Sequence, residues 1–340
     1  MNKISNDGSW NKKLTINDIA EELKVSKTTV SRAISGNGRI SQSTRQRILK
    51  YIETNNYKPN VIAKSLAKSR TYNIAVAIPG DYSLVDLPFF QQCLMGISKI
   101  ASSLDYDVLI SGVKDSDRSQ LERIVSNHKV DGVILTRTLT EDKDIFYLQE
   151  KGIPFITIGS SAIKEVVQID NNHQAGCKEL TSILLMKGLR RIALIGGNTA
   201  HVVTQSRCQG YFAAHIELGL PIDNEIVYMN ANNIVITEKI IEELLGKQVE
   251  CIICTDDLIC SYVLNKLRHN HIKVPEDIKV ASFYNSNILE NNIPSISSLN
   301  FNVSELGMKA CSILVNYMEG KEINRRTLLG YEVALKESTQ

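Results

Sequence analysis

"LTINDIAEELKVSKTTVSRAISGNGRIS", residues 14–41, decides how the chain is read. Thr15 is a strong N-cap residue, and Asp18, three positions on, completes a capping-box pair. Ile16, Ile19, Ala20 and Leu23 follow at i, i+3, i+4 and i+7, so one helical face is apolar. "LKVS" makes a short turn, and Ser26 caps a second helix whose Val30 and Ile34 point inward. Ala20 is small enough to let the two helices approach. Ser41 caps a third helix with Ile48, Leu49 and Ile52 on its inner face, and Tyr57 closes the small core. Two short helices joined by a tight turn form a helix-turn-helix. The outer face of the second carries Lys27, Thr28, Thr29, Ser31 and Arg32: hydroxyls and cations that bond base edges and phosphates.

Charge supports a polyanionic partner. Residues 1–70 hold 14 Lys and Arg against 5 Asp and Glu, a net +9, while the remaining residues carry −7. A basic head on a mildly acidic body fits double-stranded DNA. The 340 residues are 43% hydrophobic and 22% charged, ordinary globular material for two or three domains. No apolar run approaches the ~18–20 residues of a membrane span, and no apolar stretch follows the basic N-terminus as in a secretory signal. A cytoplasmic protein without membrane contact is expected. The 7 cysteines are then free thiols. Cys251 and Cys254 form a C-x-x-C within "VECIICTDD", which reads as a strand. Residues three apart on a strand face opposite ways, which suits neither a metal cage nor a redox pair.

From Ile74 on, short Val- and Ile-rich runs ("NIAVAIP", "YDVLIS", "DGVILT", "PFITIG", "RRIALIGG", "VECIICT", "IKVASF") alternate with helical patterns. The helical patterns include "FFQQCLMGISKIASSL", "NHQAGCKELTSILLMKG" and "DDLICSYVLNKLRHN". Alternation with continuous apolar strands means parallel sheets covered by helices on both faces. So many units call for two doubly wound lobes with a cleft between them, and ligands of such sheets bind off the carboxyl ends of the strands.

Enzyme signatures are missing. "LIGGN" is a glycine pair rather than G-x-G-x-x-G, and there is no P-loop and no G-x-S-x-G elbow. His269 and His271, two apart near a helix end, read as solvated surface rather than metal ligands. No cofactor and no metal are expected. The competing readings are a solute-binding protein, which the basic head opposes, and a sugar- or nucleotide-processing enzyme on the same two-lobed α/β fold.

The head, "TINDIAEELKVSKTTVSRAISGNGRISQSTRQRI…NNYKPNVIAKSLA", closely resembles the N-terminus of the lactose-repressor (LacI/GalR) family of bacterial transcription regulators. The resemblance implies Lys27 and Thr28 as base readers, with Thr29, Ser31, Arg32 and Arg39 on phosphates or bases. Thr15, Ser26 and Tyr57 complete the DNA-contacting set of the head. Where the family has Ala-Gly before Val-Ser, this chain has Leu23-Lys24, so Lys24 needs a positive φ at a cost of ~1 kcal/mol. "PNVIAKSLAKSR", residues 59–70, is too short a helix to stand alone. The resemblance makes it the hinge helix, capped by Asn60, with Leu66 as a minor-groove wedge and the small Ala63 allowing close pairing with a partner's hinge.

The body resembles the same family's effector domain through "LPFFQQCLMGI", "DGVIL", "GIPFITIG", "VVQIDN", "RRIALIGG", "SRCQGY", "CTDD" and "PSISSLNFNVSELGMKA". It implies a periplasmic-binding-protein-like fold closing on a small molecule. Of Phe89 and Phe90, adjacent on a helix, one is expected in the cleft. Arg207 matches the ligand-bonding arginine. Asp256 matches the ligand-gripping aspartate, and it also suits a helix N-cap. Asp170 is a further contact or a lobe-crossover residue, and Arg137 either reaches the cleft or lies on the surface. Where the family commonly shows an aromatic and two acids, this chain has Phe283, Tyr284 and Asn285, so Tyr284 and Asn285 would present a hydroxyl and an amide. A carbohydrate effector follows from that chemistry. The expected organisation is a disordered extension at 1–13, a three-helix helix-turn-helix head at 14–59, a hinge at 60–70, and an effector-binding and dimerisation domain at 71–340. The function expected is a sequence-specific regulator, a repressor, that binds a pseudo-palindromic operator as a homodimer.

Overall fold

Three side-chain oxygens start the three helices among the described residues of the N-terminal unit. Thr15 Oγ1 accepts the Asp18 N–H at 3.3 Å while the Asp18 carboxylate accepts the Thr15 N–H at 2.8 Å, opening α1 (Ile16–Glu22). Ser26 Oγ accepts the Thr29 N–H at 3.1 Å before α2 (Lys27–Ser35), and Ser41 Oγ the Thr44 N–H at 3.1 Å before α3 (Gln42–Thr54). In this computed structural model, residues 14–36, 38–55, 57, 70–81, 88–114 and 116–340 are described. Two compact units result, Met1–Thr71 and Tyr72–Gln340. The N-terminal extension 1–13 and hinge residues Asn60, Ala63 and Leu66 lie outside the described residues.

Ile19, Ala20, Val30, Ala33 and Ile48 form the buried centre of the head, with Ile16, Leu23, Ile34, Ile52 and Tyr57 packed around them. Lys24 adopts φ 52°, the left-handed turn that Leu23-Lys24 imposes between α1 and α2. One inward assignment is corrected. Leu49 is 43% exposed, because it sits one residue, about 100°, around the helix from Ile48. Tyr51, three residues on from Ile48, packs against the core instead.

Among its described residues the second unit holds two six-stranded sheets. The first is built from β1 (Asn73–Pro79), β2 (Asp107–Val113), β3 (Gly132–Leu135), β4 (Phe155–Ile158), β5 (Gln168–Asn171) and β11 (Arg326–Leu329), in the order β11-β5-β4-β3-β1-β2. The second comprises β6 (Ile192–Ile195), β7 (Val227–Tyr228), β8 (Cys251–Cys254), β9 (Lys279–Ser282), β10 (Ser297–Asn300) and β12 (Glu332–Ala334), in the order β12-β10-β9-β8-β6-β7. All pairings are parallel except β10 with β12. The central strands are buried on both faces, which is why they read as unbroken apolar runs. Cys251 and Cys254 lie in cores on opposite faces of the second sheet, as a three-residue spacing on a strand requires.

The chain crosses between lobes three times. After β5 it enters α7 (His173–Met186), whose Cys177, Leu180 and Leu184 join the second lobe. After β10 it returns through α12 (Val303–Met318), which packs on α4 (Pro88–Ser103) in the first. After β11 it crosses again to β12. The α4–α12 contact depends on Gly96 and Gly307. A methyl group on either would collide with the facing backbone, at Ser304 and Cys93 respectively. Helices α5 (Ser119–Ser126), α6 (Lys143–Lys151), α8 (Val202–Glu217), α9 (Ile234–Leu245), α10 (Asp257–His269) and α11 (Asn287–Glu290) complete the layers. No helix among the described residues is long and apolar enough to cross a membrane.

Candidate functional site

Two surfaces stand out, one in each unit. In the head, Val30 and Ala33 anchor α2 to the core, which leaves Lys27, Thr28, Ser31 and Arg32 exposed on its outer side. Arg39 is exposed as well. Ser26 and Thr29 bond to one another, Oγ to Oγ1 at 2.8 Å, so both serve the start of α2. Tyr57 is half-buried against the head core, and its N–H bonds the Ile52 carbonyl at 3.0 Å.

In the second unit a cavity of about 220 Å³ lies at the carboxyl ends of the strands of both sheets. Phe89, Phe90, Arg137, Asp170, Arg207, Asp256 and Tyr284 all line it. Both phenylalanines are present where one was expected, their rings meeting edge-on at 5.2 Å between centroids. Asn285 is not among the lining residues. Its amide donates to Glu290 at 2.7 Å and to Asn300 at 3.1 Å, tying the strand end to α11 instead.

Each lining group is fixed by its own element. Arg207, in the second turn of α8, is only 8% exposed, and its guanidinium donates to the Thr255 carbonyl at 2.7 Å. Its Cζ lies 5.6 Å from the centroid of the Tyr284 ring, within cation–π range. Asp256 is the N-cap of α10, accepting the Ile259 N–H at 2.9 Å. Burial pushes the Asp256 carboxyl above the usual aspartate range. The adjacent Asp257 is also raised by burial, although the Ser286 hydroxyl donates a short hydrogen bond to it. Ser282 Oγ donates to the Tyr284 carbonyl at 2.6 Å, fixing the turn that aims the tyrosine ring.

Asp170 sits at the first crossover. Ser160 donates to it through both N–H and hydroxyl, at 2.9 and 2.8 Å, and the Asn171 N–H donates at 2.8 Å. Burial alone would raise its pKa, but these bonds and His173, 3.4 Å away, hold it below the ordinary value. Burial lowers the His173 pKa, aided by the nearby charge of Arg207 and opposed by Asp170. His173 is one of several lining residues that the sequence did not single out, with Thr136, Thr138, Asn198, His201 and Asp257. Most of these stand at or just past strand ends, the position that marks them in an α/β lobe.

A cleft between two parallel-sheet lobes, in a chain with a separate helix-turn-helix, defines a ligand-responsive DNA-binding regulator. Residues 15–60 match the family of bacterial regulatory proteins, lacI family, and residues 76–332 match periplasmic binding proteins and sugar binding domain of LacI family. The chain belongs to the LacI family of transcriptional regulators, and it is not an enzyme. Over 337 residues it is 29% identical to the HTH-type transcriptional regulator MalR of Streptococcus pneumoniae, covering 95% of this chain and 99% of that protein. It is 26% identical to catabolite control protein A of Staphylococcus epidermidis over 332 residues, covering 96% and 99%. Among solved structures it is similar to a transcriptional regulator CelR–cellobiose complex, with TM-score 0.73, 26% identity and coverage of 96% and 100%. The lac repressor dimer bound to operator and an anti-inducer has the same fold, with TM-score 0.80 at 22% identity and coverage of 96% and 99%.

Proposed function

We propose that this regulator represses transcription in the cytoplasm by binding a pseudo-palindromic operator as a homodimer, and that a carbohydrate in the interlobe cavity controls it. The observation that carries the DNA half is the sidedness of α2: its apolar residues are buried and Lys27, Thr28, Ser31 and Arg32 face outward. On this reading Lys27 and Thr28 reach base edges, while Arg32 and Arg39 take phosphates or bases. Thr15, Ser26 and Thr29 hold helix starts whose N–H groups suit phosphate, and Tyr57 braces the head. Asn60, Ala63 and Leu66 supply the hinge, with Leu66 wedged into the minor groove. One head reads only a few base pairs, so two heads on a two-fold site are needed.

The cavity supports the effector half. Aromatic rings of Phe89, Phe90 and Tyr284 offer an apolar wall, while Arg207, Asp256, Asp170 and Arg137 supply fixed polar groups. Its volume lies below the roughly 300 Å³ at which drug-sized sites begin, which suits a small sugar. The similar CelR structure is a complex with cellobiose, which makes sugars the first panel to test. Selection from random DNA should return a symmetric site, and a thermal-shift screen of sugars should find a ligand whose effect the variant Arg207→Ala loses. Recovery of only asymmetric or unrelated fragments would refute the dimeric operator reading.

A further inference from the structure

The two lobes are joined by more than the chain crossovers. After β3, residues 138–140 lie beside residues 200–202, which lead into α8. Leu139 and His201 form an isolated antiparallel bridge between the lobes. The Thr140 N–H donates to the Ala200 carbonyl at 2.9 Å, and the Val202 N–H donates to the Thr138 carbonyl at 3.2 Å. Thr138 and His201 also line the cavity, so the bridge stands at its edge.

Both halves of the bridge are rigid within their own lobe. Asp142 caps α6 and also accepts the Leu139 N–H at 3.0 Å. Across the cleft, Asn198 Oδ1 accepts the Ala200 N–H at 2.9 Å. Asn230 Oδ1 accepts the Thr199 N–H at 3.0 Å, and the Gln205 amide donates to the Thr199 carbonyl at 3.0 Å. Two preformed loops meeting through two backbone bonds lose little conformational entropy on closing.

We infer that this bridge is a latch that holds the two lobes together at the edge of the cavity, so that opening this edge requires its two hydrogen bonds to break. Any regulatory consequence rests on the cleft being the effector site; the latch itself does not, and it is read without any ligand. Because both bonds are main-chain, the latch resists ordinary side-chain replacement, and proline is the specific probe. Val202 is the first residue of α8, where proline is well tolerated, and His201 has φ −82°, ψ 125°, an extended conformation compatible with a following proline. Val202→Pro therefore deletes one latch donor and keeps the helix.

The test uses the full chain, ligand-free, by hydrogen–deuterium exchange with residue resolution. The Thr140 amide should be protected in the unmodified chain and should exchange roughly two- to tenfold faster in V202P, the effect of losing one coupled hydrogen bond. A second variant does not depend on V202P folding. Leu139 and His201 are a non-hydrogen-bonded pair, with Cα atoms about 4.5 Å apart in such geometry, at the lower edge of the disulfide range. L139C/H201C should therefore oxidise to an intramolecular disulfide without ligand, located by peptide mapping, and the Thr140 amide should then be slower than in the reduced form. A Thr140 amide already as fast as an unstructured one in the unmodified chain, or two introduced thiols that stay unpaired in a folded variant, would overturn the latch. Failure of every sugar to bind would leave both readouts unchanged and would bear on the effector reading alone.

Discussion

Phe283 and Tyr284 are neighbours in the chain and bury their rings in different lobes. Phe283, fully buried, belongs to the core of the second lobe, from which both residues come. Tyr284, 5% exposed, joins the core of the first, where it meets Phe89 edge-on at 6.1 Å and stacks on Phe301 at 6.3 Å. Tyr284→Ala should therefore destabilise the effector domain by about 3 kcal/mol, in the range of buried aromatic truncations. Tyr284→Phe keeps the ring and should cost under about 1 kcal/mol. Denaturant midpoints of the two variants check this, and faster amide exchange in α4 should accompany the first.

Arg207 has a polar anchor and an aromatic one, both within the unit that carries the cavity. Arg207→Ala should abolish the thermal shift given by any effector that stabilises the unmodified chain. It should leave operator affinity, measured without effector, within about twofold. Loss of operator binding in a folded variant would contradict separate DNA-reading and ligand-sensing roles.

Asp256 couples stability to pH. Burial raises its folded pKa above the ordinary 3.8. Its contribution is then favourable below that value and is lost as pH rises through the folded pKa, because the Ile259 N–H, Thr255 and Arg207 offset only part of the cost of burying the charge. Asp256→Asn keeps an oxygen to cap α10 and carries no charge. Without ligand it should melt higher than the unmodified chain at roughly pH 7.5, with the gap closing towards roughly pH 4. It should also respond less to effector, because the charged acceptor is gone.

Thr28 and Ser26 separate recognition from folding. Thr28→Ala should weaken specific over non-specific binding by about 1 kcal/mol or more with little change in stability, because the side chain is exposed. Ser26→Ala removes the cap of α2 and should lower head stability by about 1 kcal/mol. Competition binding against random DNA, beside thermal melts, distinguishes the two effects.

Lys24 is exposed and left-handed, with φ 52°. Glycine accepts that geometry freely, so Lys24→Gly should stabilise the head by up to about 1 kcal/mol, net of the entropy that glycine costs. A lower melting temperature in this variant would show that the lysine side chain contributes more than its backbone strain costs.

Local chemistry carried much of this into the sequence. Thr15, Ser26 and Ser41 start their helices because a side-chain oxygen reaches an N–H three residues on, an interaction written entirely in nearby residues. The alternating apolar runs gave two parallel-sheet lobes, since strands buried on both faces have no polar side to show. Leu49 escaped correct placement because neighbouring helical positions differ by about 100°, and a three-helix core is too narrow to hold both Ile48 and Leu49. The short strands β7, β11 and β12 carried too little apolar pattern to be distinguished from loops.

The sequence by itself determined the helix starts, the head's sided α2 and the α/β class of the body, because each depends on residues a few positions apart. Only the tertiary structure decided which side chains share the cavity. It turned Asn285 to Glu290 and Asn300, placed both Phe89 and Phe90 in the cleft, sent Tyr284 into the opposite lobe, and joined Leu139 to His201. Those relations depend on how two lobes, threaded three times by one chain, close on each other. No periodicity along the sequence encodes that long-range geometry.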